Sequence, residues 1–379
     1  MEQIMISPKN PIGCRLRHKV ILVHLTSAKL IFVAAIWRHG DRAPKQLPYP
    51  TDPNGESAWP RGWNQLTNLG MQQTYELGKW LRKRYGKGKN AHIKEVFDRK
   101  EVLVMSSDSE RALTSAQCVM AGLFPPDDEF VWKKKIEWQP TPIHTMGIGD
   151  DPLLKPTSSH CPRYNQVVKE ENSGLLQSID GDHQDLFRLL EKNSGVPVVN
   201  SSNIGDFYNV VRERIHGLRQ PSWFTNDIVD RLIEIKRHLR TSEFNSPTKS
   251  RFRGGYLLGD WLRRINNAVN GVKNAMKTIL YSAHDGTVSA LMNVMQVANE
   301  HLVPYAACYV AELHRDNGQH FIKLFYKNDS HLEDPGKFAF QLTIPSCAKD
   351  CPLDQFNQIF SPIAINTTEE FKQICSFSV

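Results

Sequence analysis

No run of 18 apolar residues occurs in the 379-residue chain, so no segment of it reads as a bilayer-spanning helix. Glycine and proline, at 23 and 22 residues, are near average usage, which excludes collagen-like and low-complexity chains. Internal repeats are absent. Seven cysteines are present, with one close pair, Cys347-x3-Cys351, between Pro345 and Pro352. No second cysteine or histidine cluster at ligand spacing accompanies that pair, which argues for a tight disulfide loop over a structural metal. The basic runs Arg82-Lys83-Arg84 and Lys133-Lys134-Lys135 lack interleaved aromatics, so they read as solvated faces and no nucleic-acid partner is expected. Charge of one sign is not dominant either: 47 basic against 40 acidic residues leave +7, part of it in the first 28 residues.

What is there has the composition of an ordinary globular protein, 40% hydrophobic, 23% charged and 9% aromatic. The length suits two domains, or one large α/β domain carrying an inserted cap. Residues 1–28 read as an export signal: a basic stretch from Arg15 to Lys19, an apolar run from Val20 to Leu25, then Thr26-Ser27-Ala28. Triplets beginning at Asn200, Asn328 and Asn366 are glycosylation acceptors if the chain is exported. Near Val379 there is no apolar stretch, so no C-terminal membrane anchor is expected.

Three segments share one grammar, an apolar run of strand character that stops at ionisable residues and is followed by a helical pattern. They are Lys29 to Arg38-His39-Gly40 with a helix from Thr67 to Tyr85, Glu101 to Ser106 with a helix opened by Ser107-Asp108-Ser109-Glu110 in a capping-box pattern, and Thr278 to His284-Asp285-Gly286 with a helix from Val288 to Val297. This predicts an α/β fold with a central, mainly parallel sheet flanked by helices. Ligands of such sheets bind beyond the strands' carboxyl ends, where the three charged clusters would meet. From about Pro152 to Ser250 the strand grammar gives way to helical periodicity, around Asp185 to Asn193 and Asp227 to Arg240. The expected division is therefore a core of residues 29–150 and 251–379 with a helical cap at 151–250. A long amphipathic helix from Gly255 to Lys277 leads back to the sheet, and Asp316-Asn317-Gly318 turns a β-hairpin.

Arg38-His39-Gly40-Asp41-Arg42-Ala43-Pro44 sets an imidazole between two guanidinium groups, and Arg111 lies in the first turn of the second helix. Guanidinium forks match phosphate oxygens, and a helix amino terminus favours anions. The plainer reading pairs Arg38 and Arg42 with Asp41 or Glu110 and makes His39 a packing residue. The string itself decides between them: it matches the RHGxRxP signature of the histidine acid phosphatases, the branch of the histidine phosphatase superfamily that includes phytases. SAHDGTVSAL supplies the second, HD motif at a strand end and in the expected order. The resemblance extends from about Lys29 to Cys375 through LFPP at Leu123, HCPRY at His160 and PSW at Pro221, and looks closest to the animal prostatic and lysosomal group.

The resemblance implies a phosphoglycerate-mutase-like fold and hydrolysis of phosphate monoesters, small or protein-borne, through a phosphohistidine on His39. Arg38, Arg42, Arg111 and His284 would hold the phosphoryl oxygens and Asp285 would protonate the leaving alcohol, with no metal or other cofactor. A carboxylic acid in that role favours acidic conditions. Trp223 would reach the substrate from the cap, and Trp59-Pro60-Arg61-Gly62-Trp63 either walls the entrance or packs a lid. Also implied are Cys161–Cys375 and Cys347–Cys351 disulfides, a secreted or lysosomal destination and a homodimer. The chain departs from the pattern at a third bridge: the cap position expected to hold a cysteine is Arg212, which leaves Cys308 without a partner, while Cys118 reads as a buried thiol. Competing functions are a phytase or lysophospholipid phosphatase, a phosphoglycerate mutase, and a catalytically inactive secreted binding protein.

Overall fold

The computed structural model describes residues 28–88, 91–147, 149–332 and 339–377. Residues 1–27, with nearly all of the expected export signal and Cys14, lie outside them. Strand β1 (Lys29–Arg38) is followed by helix α1 (Asn68–Leu81), β2 (Val102–Ser106) by α2 (Glu110–Leu123), and β3 (Thr278–Ala283) by α10 (Asp285–Val294). Between them lie α3 (Pro162–Glu171), α4 (Ser173–Asp182), α5 (Gln184–Ser194), α6 (Ile204–Phe207), α7 (Val210–Ile215), α8 (Asn226–Thr241) and α9 (Pro247–Val269). Strands β4 (Cys308–Asp316), β5 (Gln319–Lys327), β6 (Ala339–Leu342) and β7 (Cys351–Pro352) and helices α11 (Leu353–Phe360) and α12 (Thr368–Cys375) complete the chain.

The sheet runs β2-β3-β1-β4-β5-β6, with β7 beside β5. Its parallel part is confined to β2, β3 and β1, the strands that carry the motifs; β4 to β7 pair antiparallel, so the sheet is mixed rather than mainly parallel. Alternation along β1 explains the two layers. Val33, Ala35 and Trp37 pack with α1 and α2, whereas Phe32, Ala34 and Ile36 pack with α9, α10 and α11. With both faces covered, β3 is buried at all six positions, which is why it reads as a continuous apolar run. The expected hairpin is β4–β5, where Asn317 and Gly318 both take positive φ, 47° and 84°, as a two-residue turn requires.

The long helix begins earlier than its periodicity suggests, at Pro247 instead of Gly255. Ser246 caps it by accepting the Lys249 N–H, and Pro247 occupies the first turn, where its missing N–H costs nothing. It ends at Val269, short of Lys277. Helices α4 to α8 enclose a hydrophobic cluster of their own, containing Leu186, Phe187, Leu190, Phe207, Leu232 and Ile235, into which Tyr49 from the loop after β1 also packs.

Disulfides join Cys161 to Cys375 and Cys347 to Cys351. Cys308 is a buried thiol pushed up to about 12 by burial. Cys118 is half-buried, not fully buried as its helix face suggests. Of the glycosylation triplets, Asn366 is exposed and Asn200 and Asn328 are half-buried.

Candidate active site

Strand register delivers the site. Arg38 pairs with Ala283 and Ser106 with Ser282, so the three strands end level. The first residues beyond them stay in line, the His39 N–H donating to Ala283 O at 3.0 Å and the Ser107 N–H to Ser282 O at 3.0 Å. His39, Ser107 and His284 are thus neighbours because three parallel strands stop together. The turn after β1 must then pass close to α1: a Cβ on Gly40 would lie 2.1 Å from the Gly70 carbonyl oxygen, a contact only glycine avoids. Thr67 caps α1 as expected, accepting the Gly70 N–H at 3.1 Å.

His39 is 3% exposed. Its Nδ1 lies 2.8 Å from the Gly40 carbonyl oxygen, and a carbonyl only accepts, so Nδ1 carries the proton. Nε2 therefore presents its lone pair, which accepts from Arg111 Nε at 3.2 Å. Burial first, then the charges of Arg111, Arg38, His284 and Arg42, hold the imidazole well below its usual range. A neutral ring held in one orientation with its Nε2 lone pair presented is chemically suited to nucleophilic attack.

His284 stands edge-on to His39, with ring centroids 5.5 Å apart. Its Nδ1 faces Arg111 Nη2 at 3.3 Å; a guanidinium only donates, so the proton sits on Nε2, which donates to Ser107 Oγ at 2.8 Å and lies 3.3 Å from Ser109 Oγ. The Ser107-Asp108-Ser109-Glu110 capping box does not form, since Ser109 makes no side-chain cap to α2. Its hydroxyl turns instead to His284, and Glu110 accepts from Gln65.

The plain pairing of the arginines is absent. Asp41 accepts from Thr67 Oγ1 at 2.6 Å and from His216 Nε2 at 2.6 Å, leaving no carboxylate in ion-pair contact with Arg38, Arg42 or Arg111 among the described residues. Arg38 Nη1 donates to Val303 O at 2.5 Å, Arg42 Nη1 donates to Ala43 O at 2.6 Å, and the Nε of both is buried without a partner. Burial, then the neighbouring charge of Arg212, pushes Arg42 down to about 9. Three crowded guanidinium groups without acids are costly unless an anion joins them.

Asp285, the first residue of α10, does have a partner. Arg240 Nε donates to its Oδ2 at 3.0 Å, while Arg240 Nη1 donates to Glu243 at 2.6 Å. Burial pulls the Asp285 carboxyl up, but Arg240 and Arg38 outweigh it and hold the group well below the usual carboxylate range. Gly286 makes the pairing sterically feasible: a Cβ there would sit 2.4 Å from Arg240 Nη2.

Trp223 does not join this group; its ring contacts are with Phe224, at 4.0 Å, and Tyr49, at 5.7 Å, inside the helical cluster. Trp59 is buried edge-on against His216. Sequence reasoning missed Tyr305, whose ring lies 3.9 Å beneath Arg38 and 6.0 Å from His39. It missed Arg240 too, which reads as one more basic residue on the polar side of α8. Arg212 was visible only as an absent cysteine.

An imidazole flanked at parallel strand ends by arginines that form no ion pair among the described residues, with a second histidine and a carboxyl group opposite, is an arrangement suited to binding a phosphoryl group. The profile of the histidine phosphatase superfamily (branch 2) matches residues 29–327, and the chain belongs to that family. Human prostatic acid phosphatase is 36% identical over 341 residues, covering 88% of this chain and 86% of the relative. Xenopus laevis lysosomal acid phosphatase is 34% identical, covering 93% and 80%. Among solved structures, Hafnia alvei phytase in complex with tartrate superposes with a TM-score of 0.69 at 16% identity, over 93% of this chain and 100% of the phytase. That likeness concerns the fold.

Proposed function

We propose that this chain is an acid phosphatase that hydrolyses phosphate monoesters through a covalent phosphohistidine on His39. The observation that carries the reading is the fixed tautomer of His39, with Nδ1–H spent on the Gly40 carbonyl and the Nε2 lone pair turned toward Arg111, where it accepts a 3.2 Å hydrogen bond. In the first step Nε2 attacks phosphorus and the P–O bond to the alcohol breaks, the alkoxide taking its proton from Asp285. In the second a water attacks the phosphohistidine, losing its proton to Asp285, and the P–N bond breaks. Arg38, Arg42 and Arg111 stabilise the equatorial oxygens in both steps.

Because Arg240 and Arg38 hold the Asp285 carboxyl well below its usual range, the proton it gives to the leaving group is supplied in this reading by the bound substrate. A phosphate monoester below its second pKa of about 6 brings one, and the bound phosphoryl charge offsets the arginine field that holds Asp285 down. His284 likewise must gain a proton at Nδ1 to donate to a phosphoryl oxygen, and the same charge favours it. Acid activity then follows from delivery of a proton by the substrate, while His39 remains neutral.

In this reading residues 151–250 form a cap over a core of 29–150 and 251–379, and the chain is exported; the two disulfides fit an oxidising compartment. A homodimer would cover the exposed apolar residues Phe130, Val131, Trp132 and Trp138; a monomer by light scattering contradicts it. The functional test compares native protein with His39→Ala for phosphate release from an aryl phosphate at about pH 5 and about pH 7.5. Activity in the native protein only, and higher in acid, is expected. A folded native protein without activity overturns the reading in favour of a phosphate-binding protein. A panel of inositol, nucleotide, phosphotyrosyl and lysophospholipid esters then separates substrate classes.

A further inference from the structure

Arg212 stands in α7, within residues 151–250, at the position where the family resemblance expects a disulfide cysteine. It is 7% exposed, yet no carboxylate pairs with it among the described residues. Its Nε donates to the Tyr305 hydroxyl at 2.7 Å and its Nη1 donates to Asn209 Oδ1. Tyr305 is the ring beneath Arg38 and beside His39. Burial tends to raise the Tyr305 phenol, but Arg212, Arg38 and Arg42 pull it below its ordinary range. One phenol therefore touches or faces three guanidinium groups, and Asp41, an acid whose charge they feel, is committed to Thr67 and His216.

A buried cation at this spot repels the three already there. An anion occupying the space between them would offset that repulsion. With Tyr305 fixing Nε and Asn209 fixing Nη1, the guanidinium is held in one orientation, as bidentate recognition of an oxyanion requires. We infer that Arg212 is a fourth guanidinium of the phosphoryl pocket, supplied by the helical segment and oriented by Tyr305, which tightens binding of the phosphoryl group. The inference rests on the phosphoryl site proposed above.

Its consequence is a dependence of phosphate affinity on a residue outside the three strand ends. Calorimetric titration with inorganic phosphate at pH 5 and pH 7 reads this without requiring turnover. Arg212→Gln, which removes the charge and keeps polar bulk, is expected to weaken the dissociation constant about tenfold or more. The loss should be larger at pH 7, where phosphate carries more charge. Arg212→Lys should recover part of the affinity, and Tyr305→Phe should lose a smaller part by releasing the fork. With an aryl phosphate, KM should rise more than kcat falls. If Arg212→Gln does not fold, Arg212→Lys still decides: it keeps the charge, loses the fork, and should bind phosphate several-fold more weakly than native protein. A dissociation constant within twofold of native in folded Arg212→Gln, or in Arg212→Lys where only that variant folds, overturns the inference, even if thermal stability has dropped. Native protein that binds no phosphate at all contradicts the underlying site instead.

Discussion

The strand ends and the helical segment contribute to one pocket in different ways. His39, Arg111 and His284 are placed by the register of three parallel strands, so their positions follow from the same hydrogen bonds that make the sheet. Arg212 and Arg240 reach the pocket from amphipathic helices and are held by side-chain contacts with Tyr305 and Asp285. The sheet fixes where the proposed nucleophile stands; the helices set charge and protonation around it. Chemistry should therefore fail when the first group is changed, and pH dependence and affinity should shift when the second is.

The largest effect is expected from His39→Ala, which removes the atom that bonds to phosphorus. Turnover of an aryl phosphate should fall at least about a thousandfold in steady-state assays, and a loss under tenfold would break the comparison. Asp285→Asn comes next, with kcat for an alkyl phosphate reduced about 10²- to 10⁴-fold. An aryl phosphate with an acidic phenol leaving group should suffer less, because its alkoxide needs little protonation. Equal losses for both esters would remove Asp285 from the role of leaving-group acid.

Arg240→Met tests the helical side. Without this cation the Asp285 carboxyl rises and holds its proton to higher pH once the phosphoryl group is bound, so the basic limb of the kcat profile should move upward by about one unit. An unmoved limb would mean that Arg240 serves only to hold α8 in place.

The smallest effect concerns stability. Glu213, next to Arg212, is fully buried with neither carboxylate oxygen hydrogen-bonded to a donor, and Asp52 Oδ2 is in the same position. Two facing acids need a shared proton, and burial followed by the Asp52 charge pushes Glu213 up to about 8. A carboxyl group raised on folding binds its proton more tightly in the folded state. Its contribution is fully present below the ordinary glutamate value and is lost as pH rises toward about 8. The melting temperature should fall by a few degrees between about pH 5 and about pH 8, and Glu213→Gln should flatten that fall. A native melting temperature constant over this range would show that the pair does not share a proton.

Much of the strand-end half was legible because its signals are redundant. An apolar run ending in Arg38-His39, a glycine where backbones nearly touch and a cap at Thr67 each point to the same turn. The hairpin was legible from Asn317-Gly318 for a similar reason. The start of α9 was obscured because Ser246-Pro247 stands among other polar residues. The mixed sheet was hidden because no local signal shows that the hairpin strand β4 docks antiparallel on β1, and because β6 and β7 are too short to show a pattern. Ser107 misled, because a serine three residues before a glutamate reads as a helix cap, whereas its hydroxyl serves His284. Arg212, Arg240 and Tyr305 carry no local signal: each is an ordinary residue whose role depends on a long-range neighbour, 93 residues away for Arg212 and 45 for Arg240.

The most direct test of the account is to trap the intermediate. Native protein is mixed with ³²P-labelled aryl phosphate at about pH 5, quenched in denaturant, brought to alkaline pH where phosphohistidine persists, and mapped by peptide analysis, with ³¹P NMR of the labelled peptide. Phosphate on His39, bonded at Nε2 and lost on acid treatment, is the predicted result. Phosphate at Nδ1 would contradict the tautomer that Gly40 imposes, and phosphate release with no label on His39 would contradict the covalent mechanism itself.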